Sequence, residues 1–396
     1  MSINPTQTSR FLLLVAFLAF VSIGLPDAVL GVAWPSIRET FGRPLSDLGF
    51  ILFASGAGYF TSGVIAGKAI ETLGVGRLLA VSTGAVALGL FGYAFTPAFW
   101  PLLIAAVLIG LGSGAIDAGL NVFAAEHFTI TVMNLLHAFF GIGAMVGPFI
   151  MAGVLASGAS WRVGYLIVAT LILLMAITFA FTARQWDDGH HTPDKPKPLS
   201  ATMSFVLRQP LVWLQVTMFF VMTGIEACAA AWAFTSLTER FGMGDGPAGI
   251  WAGLYWGALA FGRLVLPTLS RDMLPTRLMQ VCTWGLLAGA LLMTRDELAI
   301  YQGGLLLFGL AMAPMFPTMM SLTPARLGQS VSTHAIGFQV SAAVLGAAAV
   351  PSLAGVLSER TSLVAVAWTL VVGSLALIAL DTFLRLRTTP PPAAAA

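Results

Sequence analysis

Charge is scarce in this chain. Only 9% of its 396 residues are charged, 19 basic and 17 acidic. A water-soluble domain carries about 25% charged residues. A chain this poor in charge cannot cover a water-facing surface, which excludes a soluble globular protein and leaves lipid as the main solvent. The net charge of +2 is too small to hold a polyphosphate backbone, which excludes a nucleic-acid partner. Cysteine is nearly absent: Cys228 and Cys282 both lie in apolar runs, so there is no disulfide framework, and no Cys/His spacing suits zinc. His190-His191, in a polar stretch, is too little for a metal site. There is no nucleotide-binding motif, so hydrolysis does not supply energy. No metal, cofactor or enzymatic activity is expected.

Long apolar runs are what the chain has instead. A membrane-spanning helix needs about 20 apolar residues. Such runs fall at 11–37, 45–66, 77–96, 100–123, 133–156, 162–182, 211–237, 247–269, 276–293, 297–323, 330–357 and 361–384. That predicts an all-α protein of twelve transmembrane helices. The first run continues past Asp27 without a small-residue cleavage site, so it is expected to be retained rather than cleaved. Lysine and arginine set orientation. With an internal N-terminus only Arg38, Arg43, Arg162, Arg240, Arg295 and Arg360 fall outside, and the other thirteen fall inside. Both termini are therefore expected on the cytoplasmic side of the inner (plasma) membrane.

Residues 183–210 are polar and proline-rich and split the spans six and six. The expected organisation is a six-helix bundle at 1–182, a cytoplasmic linker at 183–210, a second bundle at 211–384 and a disordered tail at 385–396. A repeat supports it. At a shift of 200, Gly24 meets Gly224, Glu39 meets Glu239, Phe41-Gly42 meets Phe241-Gly242, and Arg77-Leu78 meets Arg277-Leu278. At a shift of 202, Ala152-Gly153-Val154-Leu155 meets Ala354-Gly355-Val356-Leu357. Two such halves rock about a central site in many secondary transporters.

Ionisable groups inside the spans carry the chemistry, because a charge at mid-bilayer costs about 2.5–3.5 kcal/mol on insertion scales. Asp27, Asp117 and Glu226 are the three acids that stand out mid-helix. Each is a candidate for proton coupling, with structural satisfaction by a neighbour as the competing explanation. Asp27 follows Pro26, which kinks a helix and frees carbonyls. Asp117 and Asn121 are spaced i, i+4 and share a face, and Asn134 and His137 at i, i+3 share another. That polar strip suits a polyhydroxylated or amide-bearing solute. In the second half the candidates for binding are Trp232, Tyr255, Trp256, Phe316, Phe338 and Gln339, since aromatic faces stack on sugars, although ordinary packing would also explain them. Gly110, Gly112, Gly114, Gly141, Gly143 and Gly147 allow close helix approach.

The stretch from Gly67 through Glu71 and Gly74 to Arg77 resembles the signature loop of the major facilitator superfamily. Thr72 stands where the family has its first arginine, and Val75-Gly76 delays the basic residue. The resemblance implies an inner gate latch at Gly67, Glu71, Gly74 and Arg77, weakened here, with Arg263 and Arg271 as a degraded counterpart. It also implies that helices 1, 4 and 7, which hold the acids, line a cavity between two pseudo-symmetric bundles. Within the superfamily, Asp27, Asp117 with Asn121, and Asn134 with His137 are similar to positions of the fucose–proton symporter group, with Val122 for its proline and His137 for its glutamine. That implies proton-coupled uptake of a small solute, a sugar; the chain is expected to be a monomer. Gly143-Ala-Met-Val-Gly147-Pro148 also resembles part of a proton-driven exporter signature, so export of drugs or amphipathic metabolites is the alternative.

Overall fold

The computed structural model describes residues 10–128, 130–186, 202–270 and 272–387. Twelve helices in it are long and apolar enough to cross a membrane, and there is no strand among the described residues. In lipid a helix is the one open-ended element that satisfies every backbone donor and acceptor internally. In chain order they are α1 (Arg10–Asp27 and Val29–Thr40), α2 (Leu48–Leu73), α3 (Val75–Phe95), α4 (Phe99–His127), α5 (Ile130–Ala156) and α6 (Trp161–Thr182). Then follow α7 (Pro210–Thr235), α8 (Asp245–Leu269), α9 (Pro275–Met293), α10 (Leu298–Met312 and Met315–Leu327), α11 (Gln329–Arg360) and α12 (Val364–Arg387). Most of the 183–210 linker, and the tail from 388, lie outside the described residues.

Contacts divide the chain into two compact units: Met1–His190 with Phe234–Ala260, and His191–Ala233 with Phe261–Ala396. The last two residues of α7, the turn Ser236–Arg240 that follows it and most of α8 thus belong to the first unit.

The surface inverts that of a soluble protein. Phe181, Leu386, Leu269 and Ile104 are 86%, 80%, 77% and 76% exposed, as a lipid-facing belt requires. Small residues sit where helices cross. In the first unit a methyl on Gly24 would land on the carbonyl of Phe140, and one on Gly143 on that of Val21, so α1 and α5 cross backbone to backbone. In the second unit a methyl on Gly346 would land on the carbonyl of Phe220, and one on Gly224 on Val350, at the crossing of α7 and α11. The repeat read in the sequence is therefore also a repeat of helix crossings.

Two helices are broken. Proline lacks the N–H that the ladder needs, and α1 turns at Ala28, two residues after Pro26. The acid Asp27 ends its first segment. The second break, at Ala313-Pro314 in α10, was not singled out in the sequence. Elsewhere helices outrun their apolar stretches. α2 continues through Lys68 and Glu71 to Leu73 and stops at Gly74, whose φ of 75° favours glycine. Arg162 donates from Nη1 to the carbonyls of Ala94 (3.0 Å) and Thr96 (2.7 Å). It thereby closes the C-terminal end of α3, where a cation is favoured.

Candidate functional site

Along α4, Gly110, Gly114, Asp117 and Asn121 are spaced by four, three and four residues, so they form one face. The glycines bring that face against α2. A methyl on Gly114 would stand 2.7 Å from the carbonyl oxygen of Tyr59, one on Gly110 would strike Ser55, and one on Gly58 would strike Val107. This approach delivers the Tyr59 hydroxyl, which donates to Asp117 Oδ2 at 2.7 Å. Asn121 Nδ2 donates to Asp117 Oδ1 at 2.9 Å and to the Asp117 carbonyl at 2.9 Å. Both carboxylate oxygens of Asp117 are thus occupied.

Asp27 differs. It stands at the break in α1, exposed although the spanning helix continues on both sides. It makes no hydrogen bond or ion pair among the described residues, yet lies within electrostatic reach of Asp117 and Tyr59. Two carboxylates, one held and one bare, thus lie within electrostatic reach of each other, where like charges repel. A proton or a monovalent cation relieves that repulsion when it arrives and restores it when it leaves.

His137 on α5 is half-buried, with its ring edge-on to Phe20 at 5.3 Å. The side chain of Asn134 lies outside the described set. One turn beyond His137, Phe140 meets Trp256 of α8 edge-on at 6.4 Å, and Trp256 meets Tyr255 at 5.5 Å. Trp256 is partly open, whereas Tyr255 is fully buried.

In the second unit, Glu226 faces a base. Arg263 Nη2 lies 4.0 Å from Glu226 Oε1. Arg263, expected from the family resemblance to serve a gate, thus lies beside the acid of α7. Trp232 is buried and donates through Nε1 to the carbonyl of Pro351 at 2.9 Å, so it packs α7 on α11. Phe316 packs edge-on to Phe219 at 5.4 Å. Phe338 stacks on Trp213 and lies against the Val206–Val212–Val331–Ala335 cluster. Gln339 is buried and donates to Gln215 Oε1 at 3.1 Å, with the Thr323 hydroxyl 3.2 Å from both amide oxygens.

Tyr59, Gln215 and Thr323 were missed in the sequence. Tyr59 is one of only five tyrosines, and it sits in an otherwise apolar stretch, which was a usable signal. Its partner lies 58 residues away, beyond any local spacing rule. Of the latch residues, Gly67 has open space around it. Glu71 and Arg77 are exposed and make no ion pair among the described residues. Arg271 lies outside the described residues. The opposite helix ends do carry an ion pair: Arg38 Nη2 to Glu239 Oε1 at 2.6 Å.

The sequence model of a family described as the Major Facilitator Superfamily matches residues 12–295. The human (Homo sapiens) sodium-dependent glucose transporter 1 is 22% identical over 390 residues, covering 86% of this chain and 72% of that protein. The hexuronate transporter of Bacillus subtilis (strain 168) is 26% identical over 253 residues, covering 58% and 57%. A bacterial homologue of the human lysosomal transporter Spinster, solved inward-facing and occupied, has a TM-score of 0.76 at 13% identity over 99% of this chain and 100% of that one. The Escherichia coli fucose:proton symporter has a TM-score of 0.65 at 17% identity over 97% and 100%. The structural likenesses show the fold.

Proposed function

The chain belongs to the major facilitator superfamily, and on that premise we propose that it is a secondary transporter coupling a small hydroxylated solute, a sugar or sugar acid, to a proton. The observation that carries this reading is the contrast between Asp27, bare and exposed, and Asp117, held at both oxygens by Tyr59 and Asn121. A bare carboxylate can take up and release a proton without breaking a hydrogen bond. A held one offers a fixed acceptor for a solute hydroxyl. Asp27 is assigned the coupling role, Asp117 and Asn121 solute recognition, and His137 and Trp256 the flanking contacts. Glu226 has its own cation in Arg263, and is assigned a supporting role. Residues 1–182 and 211–384 act as the two moving halves, with both termini on the cytoplasmic side of the inner membrane and the monomer as the working unit. The solute class draws on relatives that include transporters of glucose and hexuronate.

Sodium coupling is the second reading, favoured by the relatives called sodium-dependent. Proteoliposomes separate the two. Under an imposed proton gradient, uptake of the solute should alkalinise the outer medium, and Asp27→Asn should abolish both accumulation and alkalinisation. Accumulation that follows a sodium gradient and ignores the proton gradient would overturn the proton assignment.

A further inference from the structure

A second ionic cluster lies at the end of the second unit, apart from the residues assigned above. Asp381 on α12 is 1% exposed and is shared by two guanidiniums. Arg385 Nε lies 3.0 Å from its Oδ2, and Arg326 Nη2 lies 3.8 Å from its Oδ1. The Arg326 side chain is 5% exposed, and neither its Nη2 nor Asp381 Oδ1 makes a hydrogen bond. Gln280 of α9, with its amide oxygen turned to the cluster, accepts from Arg385 Nη1 and Nη2. One carboxylate thus answers two cations, and a buried charge without its counter-ion is costly.

The neighbourhood deepens the imbalance. Arg277 lies one turn before Gln280 on α9 and so shares its face. Its side chain is exposed and makes no ion pair among the described residues. Arg387 on α12 is exposed, its guanidinium 5.0 Å above the Phe383 ring. Among the described residues, the acid next to this end of α9 and outside the cluster is Asp272, in the turn before α9. Among the described residues, four guanidiniums therefore stand against two carboxylates. Beside them the same two helices present bare hydrocarbon: Val281 and Trp284 of α9 are 57% and 60% exposed, and Phe383 and Leu386 of α12 are 48% and 80% exposed.

We propose that this end of α9 and α12 binds the phosphate of an anionic phospholipid, with Arg277, Arg385 and Arg387 as its partners and the acyl chains along the apolar faces below. A surplus of cations calls for an anion. The adjoining hydrocarbon surface selects one that carries chains, since a free anion would leave Trp284 and Leu386 unused. Basic residues beside an anionic membrane surface gain about a fivefold factor in binding each.

The test uses the full-length protein in detergent, titrated with phosphatidylglycerol, phosphatidylcholine or inorganic phosphate while its melting temperature is followed. Phosphatidylglycerol should raise the melting temperature where phosphatidylcholine and phosphate do not. Arg277→Gln should weaken that response about fivefold, and Arg277→Gln with Arg387→Gln should weaken it further, leaving the lipid-free melting temperature unchanged. These variants avoid Arg385, whose loss would disturb Asp381. Arg184→Gln, on the other unit, should respond as the unmodified protein does. Equal shifts with both lipids, an equal shift with inorganic phosphate, or an undiminished response in the double variant would each overturn the proposal.

Discussion

Both oxygens of Asp117 accept hydrogen bonds, from Tyr59 and Asn121, while among the described residues those of Asp27 accept none. Removing the charge therefore has different consequences at the two positions. In Asp27→Asn the amide imitates a carboxyl that cannot release its proton. Gradient-driven accumulation should be lost, while solute binding, read by thermal shift, persists. Tyr59→Phe removes one hydrogen bond to a charged acceptor, worth about 1.5–3 kcal/mol. It should weaken solute binding by roughly ten- to a hundred-fold without lowering expression. Normal affinity in Tyr59→Phe would show that Asp117 needs no such support. The two aspartates were legible in the sequence as charges within apolar runs. Tyr59 was not, because its bond depends on how α2 and α4 pack.

Glycine decides that packing. At Gly114 a methyl would sit 2.7 Å from the carbonyl oxygen of Tyr59 and 3.0 Å from Ser62 Oγ. Gly114→Ala should therefore push α2 away, destabilise by about 1–3 kcal/mol as overpacked sites do, and weaken solute binding as Tyr59→Phe does. Gly84→Ala meets nothing within 4 Å, so its melting temperature should match or slightly exceed that of the unmodified protein. Both are read in one thermal denaturation series. The glycines of α4 and α5 were visible in the sequence, but their partners were not. The prolines were equally visible, yet Pro148 and Pro351 sit inside unbroken helices while Pro26 and Pro314 adjoin breaks. Whether a helix breaks depends on what the freed carbonyls find. At Pro351 the unbroken helix is also tied to α7, since the carbonyl of Pro351 accepts from Trp232 Nε1.

For the whole chain, the span count and the repeat followed from composition and spacing, since lipid imposes one length and one secondary structure. The matched glycines Gly42 and Gly242, at φ of 59° and 65°, end equivalent helices in the two sequence halves. Between those helices runs the Arg38–Glu239 pair, joined across 201 residues of chain. At about a third exposed, it contributes at most ~1 kcal/mol to stability. That is still enough to shift a balance of conformations severalfold. Arg38→Glu alone should change the transport rate severalfold, and Arg38→Glu with Glu239→Arg should restore it. A double swap no better than the single one would remove the pair from the working cycle.

The break after Asp27 also bears on how the protein is made. α1 leaves the ribosome about ninety residues ahead of Asp117, so its acid must enter the bilayer before α4 exists. An isolated carboxylate is costly there and a neutral carboxyl much less so, while the apolar run before Pro26 favours entry. The second segment, Val29–Thr40, ends in Arg38, Glu39 and Thr40. The nascent first span is thus apolar at its start and polar at its end, with its weakest point at the turn between. Membrane insertion of α1 should be the step of biosynthesis most sensitive to substitutions at that turn.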